Sequence, residues 1–105
     1  MRKQDTLNKI SHAIHSKAPD AKVFLFGSRA RGTNRKNSDW DILVLVDTNK
    51  ITNEIEDTFR TELYNIELEL GQSISIFIYP KNYWENELQY SPLYKSVLEE
   101  GLVLS

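Results

Sequence analysis

Two short apolar runs, Val23–Phe26 and Ile42–Val46, bracket one polar, basic loop, and this arrangement constrains the chain more than any other feature. Both runs are rich in β-branched and aromatic residues and end in turn formers. Such runs read as buried strands rather than as helix. The loop opens on Gly27-Ser28 and closes on Ser38-Asp39-Trp40-Asp41. Glycine permits a sharp turn and a close approach of ligand to backbone. Ser28 adds a hydroxyl beside amides that can form an anion-binding nest. Arg29 and Arg31 add permanent cations whose planar forks suit phosphate. Asp39 and Asp41, two apart at a strand entry, share one face roughly 7 Å apart along the chain. Paired carboxylates of this kind suit hard divalent cations. A phosphate cradle of Gly27, Ser28, Arg29 and Arg31 is thus set beside a metal site of Asp39 and Asp41.

None of these pieces is specific alone. Gly-Ser is a common turn, Asp-x-Asp often a solvated strand entry, and isolated arginines are mostly surface charge. The joint pattern carries the signal. GSRARG followed by SDWDILV resembles the signature of the nucleotidyltransferase superfamily related to DNA polymerase β. The short chain is most similar to its minimal nucleotidyltransferases (MNT), which often pair as antitoxins with helical HEPN proteins. The motif covers Gly27 to Asp41, and the order of elements matches over nearly the whole chain.

The resemblance implies an α+β, nucleotidyltransferase-like fold with a small mixed sheet of three to four strands and helices mainly on one face. It implies a single minimal domain over residues 1–105. It also implies transfer of an NMP, with AMP favoured, from a Mg²⁺-bound NTP to a hydroxyl, with Asp39 and Asp41 as catalytic residues holding one or two Mg²⁺ ions. The acceptor would be a HEPN-type partner, and a nucleic-acid hydroxyl stays open. Such enzymes use a third carboxylate on the strand beside the Asp-x-Asp strand. The matching segment, Ser73–Tyr79, contains no acid. Ser75 stands at the vacant third-acid position. Asp47 lies roughly 20 Å along the strand from Asp41, and Glu67 or Glu69 would have to reach in from a helix. The alternative function is therefore a catalytically weak or inactive, antitoxin-like binding subunit.

The remaining chain reads as support. Residues ~4–17 form a helix with an apolar stripe of Leu7, Ile10, Ala13 and Ile14. His12 and His15 on it read as polar surface residues, since no third metal ligand is near. Trp40 faces away from the acids and reads as core. A long helix spans ~51–70, capped at Thr48 or Asn49 and closed by Gly71. Ser73–Tyr79 is a strand, residues ~81–89 a short helix or turn, and Ser91-Pro92 starts a final helix ending at Gly101. Residues 32–38 read as a mobile surface loop. The run Ile42–Val46 is apolar on both faces, and with few helices one face would stay partly open to a partner or a second copy.

Net charge is −2 and cysteine is absent. This gives no global pull toward nucleic acid and rules out thiolate chemistry. No segment suits a signal peptide or membrane span, so a cytoplasmic location is expected.

Overall fold

The computed structural model describes residues 2–104. The elements in chain order are α1 (Lys3–Lys17), β1 (Lys22–Phe26), α2 (Ser28–Arg31), β2 (Trp40–Val46), α3 (Asn53–Leu70), β3 (Ile74–Pro80), α4 (Lys81–Glu87), α5 (Pro92–Glu100) and β4 (Leu102–Val103). The strands form one mixed sheet in the order β3-β2-β1-β4. β1 runs antiparallel to β2 and β4, and β2 runs parallel to β3. A parallel pair requires a crossover, which α3 supplies.

Period-two alternation divides the sheet's apolar residues between two cores. Val23, Leu25, Ile42 and Val44 pack under α1 and α3 with Leu7, Ile10, Ile14, Phe59, Leu63 and Ile66. Phe26, Leu43 and Leu45 form the second core with Trp84 of α4 and Val97 of α5. The two long helices share one face. On the second face Trp84 and Val97 close over Leu43 and Leu45, so it is covered at β2 and left partly open at Phe77 of β3.

Local signals set the helix ends. Thr52, rather than Thr48 or Asn49, caps α3 by accepting the Ile55 amide. The Thr48 hydroxyl instead donates to the Lys50 carbonyl. Gly71 ends α3 in the left-handed region, and the Ser91 hydroxyl accepts the Tyr94 amide to start α5. Ser11 and the Ala21 carbonyl engage the His15 ring at 3.1 and 2.8 Å. That ties α1 to the entry of β1. Among the described residues, no helix is long and apolar enough to cross a membrane.

Candidate functional site

The site is built where β1 ends beside the start of β2 and β3. Register places Asp41 next to Phe26 on one side and next to Ser75 on the other. The chain leaves β1 through Gly27, whose φ of 75° and ψ of −159° lie in a region nearly restricted to glycine. The close approach is visible in what a side chain would meet. A Cβ on Gly27 would overlap the Asp41 carboxylate and lie 3.1 Å from its Cγ. The glycine corner and the second aspartate therefore touch.

Asp39 lies just before β2, with the same parity as Asp41. The Ser75 hydroxyl donates to Asp39 Oδ2 at 3.2 Å. Ser75 thus reaches both acids, one by register and one by hydrogen bond. Burial pushes the Asp41 carboxyl above its ordinary value of 3.8; the Asp39 charge raises it further, and Arg31 opposes both. Ser75, beside Asp41 in register and hydrogen-bonded to Asp39, brings the two carboxylates to the same corner. Arg31, at the end of α2, also donates to Glu100 Oε2 at 2.7 Å. α2 is a single turn whose first amides, Ser28 and Arg29, lack helical acceptors. Gly27 O accepts from Ala30 and Arg31.

Arg29 departs from its expected role. It is only 7% exposed. Its Nε and Nη2 donate to the Ser38 carbonyl at 3.0 and 2.7 Å, and the guanidinium lies 4.3 Å above the Trp40 ring. Its fork is spent on backbone, so it positions the loop instead of binding phosphate. Gln72 completes the latch, accepting from Trp40 Nε1 and donating to the Lys36 carbonyl. Residues 32–37 are exposed, as expected, yet the loop's far end is pinned immediately before Asp39. Arg29→Met is expected to cost about 1.5–3 kcal/mol in urea unfolding, the range for charge-assisted hydrogen bonds. A phosphate-binding surface arginine would leave the urea midpoint unchanged.

Trp40, 4% exposed, is core as expected. The two acids that might have replaced the third carboxylate are engaged elsewhere. Glu67 accepts the Ile74 amide at 2.8 Å, and Glu69 pairs with Lys9. Sequence reasoning missed Gln72 and Glu100. Both act across long separations, 36 residues to Lys36 and 69 to Arg31, and no local pattern marks them.

A model of the nucleotidyltransferase domain matches residues 7–104. The chain belongs to that family. Among solved structures, one similar chain is described as "Crystal structure of the toxin-antitoxin with AMP-PNP". It aligns with a TM-score of 0.66 and 24% identity, covering 94% of this chain and 72% of that one. At that identity the likeness concerns the fold. No curated protein matches the chain. The mixed α+β architecture is thus that of a nucleotidyltransferase domain.

Proposed function

We propose that this chain acts as a single minimal nucleotidyltransferase domain that binds a magnesium nucleoside triphosphate at the Gly27–Asp41 corner. It transfers the NMP, with AMP favoured, to a hydroxyl of a protein partner. The observation that carries this reading is the contact of Asp41 with the glycine corner, with Asp39 held beside it through Ser75. The donor set fits Mg²⁺, which favours hard anionic oxygens, and Asp41 bears a charge that its surroundings disfavour. Held by Asp39 and Asp41, Mg²⁺ would supply charge neutralisation at the phosphates and orientation for in-line displacement of pyrophosphate.

The chain's own groups do the rest. Gly27 lets the phosphates reach the main chain. Ser28 and the first amides of α2 donate to phosphate oxygens, and Arg31 adds a cation that Glu100 holds in place. The acceptor hydroxyl attacks the α-phosphorus and pyrophosphate leaves. ATP is favoured as donor because the structural neighbour's description names AMP-PNP. The same description names a toxin-antitoxin, which supports a protein partner; a HEPN-type helical protein is the one proposed.

Ser75 favours a second reading. It stands where the resemblance expects an acid, and its hydroxyl is a poor proton acceptor. A binding subunit that holds nucleotide and partner without turnover fits that substitution. Incubation with α-labelled ATP and the partner separates the two. Transfer predicts Mg²⁺-dependent label on the partner, lost in Asp39→Asn. Nucleotide binding without label would leave the binding subunit. Ser75→Asp is expected to raise labelling by on the order of 10²-fold, the lower range for general-base help. Loss of native labelling in that variant would remove Ser75 from the third-acid position.

A further inference from the structure

The outer edge of β3 is an unpaired strand edge. Among the described residues, β3 ends the sheet and pairs with β2 alone. The Trp40 amide donates to the Ser73 carbonyl at 2.9 Å. Residues of that parity, Ser75, Phe77 and Tyr79, therefore aim their backbone groups at β2, and Ile74, Ile76 and Ile78 aim theirs outward. The outward donors at the two ends are already accounted for. Ile74 N–H donates to Glu67 Oε2, and Pro80 has no N–H. Those of Ile76 and Ile78 remain. The strand reads ISIFIYP and carries no charge, whereas natural edges are usually blunted with charge. Phe77, at its centre, is 37% exposed. α3 does not close the edge: an open groove of about 610 Å³ separates Tyr64 and Arg60 from Ile74 and Ile76.

We propose that this edge pairs antiparallel with the same edge of a second copy, about a two-fold axis at Phe77. The occupant is an extended strand, because the open positions are backbone donors and acceptors at strand spacing. It is a second copy because one register satisfies both edges at once. Centred on Phe77, Ile76 of each chain lies opposite Ile78 of the other, and each such pair exchanges two hydrogen bonds. Every remaining outward donor is then used. A register centred on Ile76 would need the Ile74 amide, which Glu67 holds. Phe77 meets its counterpart as a non-hydrogen-bonded pair, the closest side-chain approach in an antiparallel ladder, and an aromatic pair is favourable there. Ser75 falls opposite Tyr79 of the second copy, so the junction reaches the residue that hydrogen-bonds Asp39. The dimer stands independently of the transferase reading.

The absence of native cysteine makes the register testable by cross-linking. Phe77→Cys sets two thiols across the axis at about 4.5–5.5 Å between Cβ atoms, near disulfide range. Mild oxidation is expected to link most Phe77→Cys chains in pairs and to leave Leu98→Cys, 75% exposed on α5, unlinked. Sedimentation of the wild type should pass from one chain to two as concentration rises. Phe77→Lys should weaken association by about tenfold or more with its circular dichroism unchanged; should it fail to fold, the cross-link decides. A wild type that stays monomeric at the highest attainable concentration overturns the proposal. So does a dimer indifferent to Phe77→Lys, or equal linking of Leu98→Cys and Phe77→Cys.

Discussion

Asp41→Asn is expected to raise the melting temperature of the free protein while abolishing Mg²⁺-dependent nucleotide binding. Burial, and then the Asp39 charge, push the Asp41 carboxyl above 3.8 in the folded protein, with Arg31 opposing. The native state therefore holds this proton more tightly than the unfolded chain does. Stability from this group is complete below 3.8 and is lost as pH rises through the raised folded value. At neutral pH the ionised carboxylate is a cost. An amide of the same shape removes that cost and with it an anionic ligand, a trade typical of functional sites. Thermal melts at several pH values check it. The gain should be largest near neutrality, shrink as the pH falls toward 3.8 and vanish below it. A lower melting temperature for Asp41→Asn at neutral pH would contradict the account.

The largest single loss is expected at Gly27. Its φ and ψ fall in a region worth roughly 1–3 kcal/mol of strain for other residues. A methyl group there would also overlap the Asp41 carboxylate. Gly27→Ala should cost about 3–4 kcal/mol in all and displace the Asp41 carboxylate. Gly32 supplies the control. Its φ is 78° in the ordinary left-handed region, and nothing lies within 4 Å of a Cβ there. Gly32→Ala should therefore cost only about 1–2 kcal/mol. Urea unfolding of the two variants reads the difference. Equal losses would mean that the Gly27–Asp41 contact is not what makes the corner demanding.

These contrasts explain what the residues disclosed in advance. Strand alternation placed Asp41 on the face shared with Leu43 and Leu45, and register then brought Ser75 alongside. The first follows from a period of two; parity leaves Ser73 and Ser75 equivalent, and the resemblance favoured Ser75. The Gly71 and Ser91-Pro92 signals were readable too, because caps act over three or four residues. Arg29 was not. In sequence it looks like Arg31, and only the folded loop shows one guanidinium spent on the Ser38 carbonyl and the other paired with Glu100. The cover over β2 on the second face was hidden for a similar reason. Trp84 and Val97 belong to short helices whose docking onto Leu43 and Leu45 is set by tertiary packing. The α3 cap slipped by a few residues because Thr48, Asn49 and Thr52 are all competent caps, and only one meets an unpaired amide.

Calorimetric titration of ATP into the protein, with and without Mg²⁺, tests the central claim most directly. The account predicts saturable heat with Mg²⁺ for the wild type, no binding heat when the ion is chelated, and none for Asp39→Asn in either condition. An absence of binding by the wild type with Mg²⁺ present, or undiminished binding by Asp39→Asn, would contradict it.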